Sequence, residues 1–335
     1  MGAIPATMRA VQLDRYGPSE VMEVRTVVVP TPGPDQVLVR VHASGLNPKD
    51  ALVRSGALRL LTGRTFPRGT GYDFAGEVAG LGQGVGDLEI GDRVWGFLDG
   101  YLGGAAAEYV SVPRTWLARM PERLGWVESA ALPLVASTAL QALRDVARLG
   151  AGERLLIKGA SGGVGSAAVQ VGKARGAYVT ALASGAGLDH CHALGADVLV
   201  DYRRTAPTSL SQRFDVFFDC IGGSPYREYR RLLRRGGRWV STIPAAWFYP
   251  VAPLSRILGP LLGQPILRFV IVRPVRADLE EIARLVDRGL LRMPVTATYR
   301  LDEIRAAHDA VAERHGRGKR VLVVSAEAAQ ESKVG

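Results

Sequence analysis

Apolar and polar residues alternate with a period of two along much of the first third of the chain, which is the pattern of half-buried β-strands. Rigid turns rich in Gly and Pro, such as PTPGP at 30–34, separate the apolar runs. Many short strands punctuated in this way predict a barrel-like β domain, not a parallel sheet. The predicted elements are strands at 10–13, 21–29, 36–42, 74–81 and 105–112, a strand within 86–97, and a short helix at 51–55.

The pattern changes at Glu122, where apolar strands begin to alternate with amphipathic helices. A helix is predicted over 129–149, and Pro133 either kinks it or lies in its first turn. Strands and helices that alternate across short Gly turns predict a doubly wound parallel sheet. The later predicted elements are strands at 198–202, 214–221, 238–243, 269–272 and 320–324, helices at 226–235, 277–288 and 301–314, and a frayed tail from 325.

The most specific motif of the chain lies within 153–183, where a short apolar strand precedes the pattern Ala160-x-Gly162-x-x-Gly165. A helix and a second β-rich run follow, and this order is the context that makes the glycine pattern meaningful. Gly162 and Gly163 let a pyrophosphate approach main-chain N–H groups, while Gly165 lets the helix pack close to the strand. The stretch therefore predicts a dinucleotide site, and a Gly-rich turn without a ligand is the alternative.

The net charge of +10 changes this picture little. Only five of the 42 basic residues are Lys, and the Arg residues are scattered along the chain. Nucleic-acid binding needs basic residues gathered on one face, so we attribute the charge to compositional bias and attraction for anionic cofactors. Two Cys residues exclude a disulfide framework and a multi-Cys zinc cluster.

No membrane span or secretory signal is expected from the sequence. The most apolar stretch, 243–272, contains five Pro residues and two Arg residues, whereas a span needs about 20 uninterrupted apolar residues. The N-terminus lacks the apolar region of a secretory signal. We therefore expect core or pocket lining at 243–272 and a soluble, cytoplasmic protein.

Several motifs together identify a family resemblance. They are GLNPKD at 45–50, GYDFAG at 71–76, GDRV at 91–94, the glycine turn at 159–165, and Gly318-Lys319. This order of parts resembles the medium-chain dehydrogenase/reductase superfamily and, within it, the zinc-free quinone oxidoreductase branch. The resemblance implies an α/β fold with a GroES-like domain at 1–125 and 273–335 and a Rossmann domain at 126–272.

The resemblance also lets the metal question be argued position by position. Zinc members of the superfamily hold the ion with Cys, His and Cys, and the matching positions here are Asn47, Tyr72 and the vicinity of Leu134. None of these side chains binds Zn²⁺ well, so no metal site is expected. The chemistry left is hydride transfer to an acceptor that is already electrophilic, such as a quinone or an α,β-unsaturated carbonyl.

The resemblance places Asn47 beside the nicotinamide and substrate, with its amide donating to the developing oxyanion. Tyr72 is the second catalytic candidate, as a donor of a proton or hydrogen bond. The alternatives are that Asn47 shapes the turn before Pro48, that Tyr72 packs in the core, and that solvent supplies the proton. Asp50 and Asp73 are expected to be structural hydrogen-bonding groups.

Cofactor preference is predicted from the end of the second strand. NAD-binding turns place an acid there to hold the ribose 2′-OH, and residues 183–185 (ASG) contain none, so NADPH is favoured and NADH remains possible. By resemblance, Ser184, Tyr202 and Arg203 (or Arg204) match positions at the 2′-phosphate. The remaining cofactor positions are the turn residues Ala160, Ser161, Gly162, Gly163, Val164 and Gly165, and Thr138 and Gly222 near the nicotinamide.

The sequence therefore predicts an NADPH-dependent, zinc-independent reductase of quinones or activated alkenes. One alternative is a zinc-free reductase of ketones or aldehydes. A non-enzyme alternative is a nucleotide-binding scaffold or RNA-associating protein, for which strongly salt-dependent RNA binding would be the mark. The resemblance also implies a homodimer joined through the strand at 269–272, with a small-molecule substrate as the other partner.

Overall fold

Two units with different sheets make up the chain in this computed structural model, which describes residues 4–101, 103–313 and 317–331. One unit comprises Met1–Leu134 and Arg273–Gly335, and the other comprises Val135–Val272. The resemblance implies a first boundary after residue 125, shortly after the change of pattern at Glu122. The structure sets it after Leu134, because the helix at Trp126–Ala130 packs against strands of the first unit.

Within the residues that the structure describes, sixteen strands and eleven α-helices are numbered in chain order. The strands are β1 Thr7–Leu13, β2 Met22–Val28, β3 Gln36–Leu46, β4 Arg68–Gly69, β5 Asp73–Leu81, β6 Arg93–Phe97, β7 Tyr109–Pro113, β8 Leu117–Arg119, β9 Arg154–Lys158, β10 Tyr178–Ala183, β11 Val198–Asp201, β12 Phe214–Asp219, β13 Leu233–Ser241, β14 Ile266–Phe269, β15 Val295–Arg300 and β16 Lys319–Val323. The helices are α1 Pro48–Arg54, α2 Arg59–Thr62, α3 Trp126–Ala130, α4 Pro133–Gln141, α5 Gly163–Ala174, α6 Ala186–Ala193, α7 Tyr226–Tyr229, α8 Phe248–Leu262, α9 Arg276–Asp287, α10 Ile304–Ala312 and α11 Ala326–Glu331.

The first unit is built on β3, the longest strand, which pairs with β5, β7 and β16. Its larger sheet has the order β15-β16-β3-β5-β6-β8, and a smaller sheet has the order β2-β1-β4. The predicted β domain is thereby confirmed. The pairing of β16 with β3 matters for function, because it brings Arg320 opposite Leu46 and so places the late residue Lys319 beside the end of β3.

The second unit is a six-stranded sheet in the order β11-β10-β9-β12-β13-β14, with every neighbouring pair parallel. This confirms the doubly wound parallel sheet. Strand order reverses between β9 and β12, and in such sheets ligands bind outside the carboxyl ends of the strands at this switch point. Large apolar side chains fill the core, among them Phe214, Phe217 and Trp239.

Two predicted helices are shorter than expected. The helix predicted over 129–149 is divided into α3, α4 and a π-helical turn at Ala142–Val146. Pro133 begins α4, where its missing N–H is not needed by the helix. The helix predicted over 226–235 ends early as α7, because the buried Leu233 already pairs with Phe214 as the first residue of β13.

The Pro-rich segment 243–272 contains the helix α8, which the sequence reading missed. From the sequence we predict only core or pocket lining there. Pro250 lies in the first turn of α8, where proline is tolerated, whereas Pro253 and Pro260 lie further along the helix. No helix among the described residues is long and apolar enough to cross a membrane. The strand expected at 269–272 is instead β14, which ends at Phe269. The tail expected to fray forms α11 up to Glu331. The helix predicted over 301–314 is observed as α10 after a short 3₁₀ turn at Leu301–Glu303, and position 314 lies outside the described residues.

Candidate functional site

The glycine turn of the second unit connects β9 to α5 with a geometry suited to an anion. Gly159 has a φ of 77°, and Gly162 is the extended N-cap residue of α5. The first N–H groups of a helix have no partner within it and carry the positive end of the helix dipole. The turn therefore presents main-chain donors at the carboxyl edge of the sheet, close to the switch point.

Two glycines of this turn have different surroundings. A Cβ atom on Gly165 would lie 2.1 Å from the carbonyl oxygen of Gly159 and 2.6 Å from the Cα of Ala160. Gly165 is therefore needed for the protein's own packing. A Cβ atom on Gly162 would meet nothing closer than the Gly159 oxygen, at 3.5 Å. The protein's own packing therefore leaves room for a side chain at Gly162, and the binding of a dinucleotide pyrophosphate there stays a prediction.

The three residues predicted at the 2′-phosphate are brought together at the ends of two adjacent strands. Strands β10 and β11 are parallel, and Ala183 lies opposite Asp201. One residue further on, the Ser184 hydroxyl donates to the Tyr202 hydroxyl at 3.0 Å. The backbone N–H of Arg203 donates to Asp201 at 2.9 Å, while its side chain is exposed and has no ion pair among the described residues. A guanidinium without an ion pair and two hydroxyls are groups that bind phosphate, so the assignment of these residues to the 2′-phosphate stays a prediction.

A polar network that the sequence reading missed lies at the switch point. The Lys158 ammonium donates to the Gly222 carbonyl at 3.0 Å and to the Ser224 hydroxyl at 2.8 Å. The buried Asp219 carboxylate accepts the Gly222 N–H at 2.8 Å and lies 3.8 Å from the ammonium. Polar residues at the ends of β9 and β12 were the signal that could have identified it. Of the two residues predicted near the nicotinamide, Gly222 belongs to this network, and Thr138 is buried on α4.

In the first unit, Asn47 follows the last residue of β3, caps α1 and is buried. Both ends of its amide have partners: Nδ2 donates to Asp73 at 2.8 Å and to the Gly45 carbonyl at 3.3 Å, while Oδ1 accepts from Lys319 at 2.7 Å. Donation from Asn47 to a developing oxyanion would therefore require one of these bonds to break. The catalytic role of Asn47 stays a prediction.

Lys319 is the buried cation of a polar cluster that also contains Asn47, Asp50 and Asp73. Its ammonium donates to the Leu46 carbonyl at 2.8 Å and lies 3.3 Å from Asp73. The Asp50 carboxylate accepts the Asn47 N–H at 2.6 Å, and burial raises the pKa of Asp50 to about 7, partly offset by that hydrogen bond and by Lys319. The cluster therefore contains two carboxyl groups, those of Asp50 and Asp73, and the ammonium of Lys319, and all three residues are buried.

Tyr72 lies just before β5 and is only 1% exposed. Its hydroxyl has no hydrogen-bond partner among the described residues. The Lys49 ammonium lies 4.0 Å from the centre of its ring, and burial lowers the pKa of Lys49. Burial also raises the pKa of Tyr72 well above its usual range, so the phenol keeps its proton. Tyr72 therefore offers a neutral, unused donor.

Two family descriptions match the chain. Residues 33–122 match the alcohol dehydrogenase GroES-like domain, and residues 194–322 match the zinc-binding dehydrogenase family. A solved structure, the quinone oxidoreductase from Coxiella burnetii, superposes with a TM-score of 0.86 at 30% identity, covering 95% of this chain and 100% of that one.

Curated relatives match at similar identity. The chloroplast envelope quinone oxidoreductase homolog of Arabidopsis thaliana is 31% identical, over 94% of this chain and 98% of its own length. The mitochondrial NAD(P)H oxidoreductase RTN4IP1 of Bos taurus is 31% identical, over 95% and 89% respectively. The 2-methylene-furan-3-one reductase of Solanum lycopersicum is 37% identical over 66% of this chain and 58% of its own length.

Proposed function

We propose, from the premise that this chain belongs to the medium-chain dehydrogenase/reductase superfamily and is quinone oxidoreductase-like, that it uses NADPH to reduce quinones or α,β-unsaturated carbonyl compounds. That it is an oxidoreductase with a nicotinamide cofactor follows from the matched families and relatives. The proposal adds the choice of NADPH and the acceptor class. The choice of NADPH is supported by side chains at the ends of β10 and β11, and the acceptor class by the side chains found where zinc members bind their metal.

Those side chains do not fit a zinc ion. The amide oxygen of Asn47 already accepts a bond from the Lys319 ammonium at 2.7 Å, and a cation at this distance opposes a second one. Tyr72 is a phenol that holds its proton, and the position near Leu134 is apolar. Zinc needs thiolate, imidazole or carboxylate ligands. This is the observation that carries the proposal, and we derive no step through a metal.

A reductase built this way suits acceptors that delocalise the incoming electron pair themselves. When bound, a nicotinamide supplies the hydride, because amino-acid side chains do not donate hydride. In a quinone or enone, the negative charge then develops on a carbonyl oxygen, where a fixed donor stabilises it. We assign that donor to Tyr72, because its hydroxyl is protonated, enclosed and without a partner among the described residues. The name 2-methylene-furan-3-one describes such an enone, which supports the acceptor class.

The proposed preference for NADPH rests on the ends of β10 and β11. Ser184, Tyr202 and Arg203 offer hydroxyl and guanidinium groups, and no acid stands at 183–185 to hold a free ribose 2′-OH. The glycine turn supplies main-chain donors to the pyrophosphate, which NADPH and NADH share. The 2′ end is therefore the part of the site where the two cofactors are distinguished.

A panel of acceptors tests the proposal. Loss of NADPH absorbance is followed with a naphthoquinone, a linear enone and a simple ketone, each repeated with NADH and with a metal chelator. We expect turnover of the quinone or enone, preference for NADPH and no effect of the chelator. Turnover of the ketone alone would favour the ketone reductase alternative, and sensitivity to chelator would refute the mechanism.

Tyr72→Phe tests the assigned donor within the same assay. We expect kcat to fall about a hundredfold, because a positioned donor of this kind contributes roughly that much. Stability should not decrease, since the lost hydroxyl has no partner in the described structure. Tyr109→Phe, a half-buried phenol elsewhere in the first unit, is the control and should leave kcat unchanged. An unchanged kcat in Tyr72→Phe would assign proton supply to solvent.

A further inference from the structure

Lys49 is a half-buried cation beside the two residues predicted to act on the acceptor. It is the second residue of α1 and follows Asn47 by two positions. Its ammonium lies over the ring of Tyr72, 4.0 Å from the ring centre, and 4.9 Å from the ring centre of Tyr101. It also donates to the carbonyl oxygen of Gly100. All of these residues belong to the first unit.

The surroundings of Lys49 oppose its positive charge. No acid forms an ion pair with it among the described residues, and a cation is unfavourable in the first turn of a helix such as α1. Burial lowers the pKa of Lys49, and the charges of Asp50, Asp99 and Asp73 offset only part of that effect. Attraction between the ammonium and the two ring faces compensates in part. A residue that breaks a local rule in this way marks a candidate functional position.

Lys49 is also a cation that an acceptor can reach. Two other cations lie in this part of the first unit: Lys319, in the buried cluster, and Arg68, four positions before Tyr72. Lys319 is 4% exposed and Arg68 is 3% exposed, and both donate to main-chain carbonyl groups. Lys49 is more exposed than either. Its ammonium has three N–H donors, of which a main-chain carbonyl takes one, so donors remain for a ligand.

We propose that the Lys49 ammonium contacts the carbonyl oxygen of the acceptor and stabilises the negative charge that develops there. The proposal deepens the reductase function proposed above and rests on it. Hydride from the reduced nicotinamide adds to the β-carbon of an enone, the alkene electron pair moves to the carbonyl oxygen, and the nicotinamide is oxidised. The oxygen then takes a proton, for which Tyr72 is the assigned donor, and solvent restores that proton to Tyr72. The enol formed in this way converts to the saturated ketone.

Lys49 and Tyr72 have different roles at this oxygen. Burial raises the pKa of Tyr72 well above its usual range, so the phenol donates a hydrogen bond but supplies no charge. The ammonium over the same ring supplies the charge, in a half-buried place where electrostatic attraction is stronger than in water. In zinc members of the superfamily, the metal held at the positions of Asn47 and Tyr72 supplies it. Lys49 therefore brings a cation to the place where zinc members use a metal ion.

A purely structural role for Lys49 is the alternative. Its bond to Gly100 and its position beside Tyr101 would then hold the segment that follows β6. In that case, loss of the ammonium would destabilise the protein and would slow the reduction of every acceptor equally. The two roles therefore make different predictions for acceptors of different chemistry.

Lys49→Met tests the proposal, because it removes the charge and keeps a side chain of similar length. With a linear enone, whose charge is concentrated on one oxygen, we expect kcat to fall about a hundredfold. With a naphthoquinone, whose charge spreads over a ring system, the fall should be less than about tenfold. KM should change little, because the oxyanion forms only after hydride transfer. Equal losses of kcat with the two acceptors would overturn the proposal.

Two further variants exclude structural damage. Lys49→Arg keeps the charge and should recover part of the enone rate. Lys173→Met removes an ammonium from the second unit, where it pairs with Asp197 at 2.7 Å, and should change neither rate. Urea unfolding should show no loss of stability in Lys49→Met, because the exposed Gly100 carbonyl regains water and a half-buried charge is removed. Lys49→Gln replaces Lys49→Met if the latter does not fold.

Binding of 4-nitrophenol tests Lys49 without turnover and therefore separates this proposal from the proposed function. The phenolate form resembles the oxyanion, and its visible absorbance reports binding. With NADP⁺ present, we expect the unmodified protein to bind the phenolate at least about tenfold more tightly than Lys49→Met does, and the neutral phenol equally. Equal binding of the phenolate by both proteins would overturn the proposal, whatever acceptors are reduced. A preference for the phenolate in a protein that reduces no acceptor would support the Lys49 site and refute the proposed function.

Discussion

The glycine turn of the second unit and the Lys319 cluster of the first are assembled in opposite ways. The turn is formed by the backbone of one continuous stretch between β9 and α5. Its key positions are glycines, which have no side chain. The cluster consists of side chains from separate segments, with Lys319 and Asn47 separated by 272 positions. A local pattern can therefore encode the first, whereas only the folded first unit creates the second.

Lys319→Met should have the largest effect, because it removes the buried ammonium that lies 3.3 Å from Asp73 and donates to Asn47 at 2.7 Å. We expect the free energy of unfolding to fall by about 3–5 kcal/mol, the cost of leaving buried charge without a partner. Urea unfolding measures the change. The matched control is Lys173→Met, whose partner Asp197 lies 2.7 Å away in a partly exposed pair. That variant should lose less than about 1 kcal/mol. Equal losses in both variants would show that the cluster is no more than a surface ion pair.

Gly165→Ala and Gly162→Ala separate packing from ligand access within the turn. The Gly165 variant places a methyl group 2.1 Å from a backbone oxygen that cannot move aside, so we expect a loss of about 3 kcal/mol in stability. The Gly162 variant meets ordinary contact distances and should lose less than about 1 kcal/mol. Its NADPH affinity, measured by fluorescence titration, should nevertheless fall at least about tenfold. Unchanged affinity would show that no ligand approaches Gly162 closely.

The comparison explains how much the sequence could predict. The order of strand, Gly-rich turn, helix and strand was visible because each part is local, and the parallel sheet followed from its repetition. Lys319 appeared only as part of a Gly-Lys motif, because nothing local indicates that β16 pairs with β3 and carries an ammonium to Asn47. Helix α8 was missed for a different reason. It contains three prolines, and only Pro250 lies in the first turn, where proline is tolerated, so the local sequence argues against a helix.

The pH dependence of stability tests the buried charges of the first unit. The pKa of Asp50, raised to about 7 by burial, lies above its usual 3.8, so the folded state binds the extra proton and stability falls as pH rises between about 4 and 7. His308, on α10, acts in the opposite direction. Burial and then the charge of Arg54 lower its pKa to about 3 from 6.5, so stability rises with pH between about 3 and 6.5.

Single substitutions should separate the two slopes. Between about pH 4 and 6.5, Asp50→Asn should make the slope of unfolding free energy against pH more positive than that of the unmodified protein. His308→Gln should make it more negative, each by about 1.4 kcal/mol per pH unit, the value for one proton. Urea unfolding at several pH values in this window measures both. If the slope of unfolding free energy against pH is the same in all three proteins, neither Asp50 nor His308 has a pKa shifted by burial as expected here.

Arg203→Ala should have the smallest effect. It compares the backbone turn of the second unit with the side chains at the ends of its strands. The backbone turn faces the pyrophosphate, which NADPH and NADH share, so discrimination must come from side chains such as Arg203 at the strand ends. We expect NADPH to bind about fivefold more weakly and NADH to be unaffected, with the difference shrinking as salt screens the exposed guanidinium. Arg204→Ala is the control, because that side chain lies 3.8 Å from Asp201 and already faces an acid. If Arg203→Ala weakens the binding of NADPH and NADH equally, this side chain contacts a part of the dinucleotide that the two cofactors share. Discrimination between the cofactors would then depend on Ser184 and Tyr202.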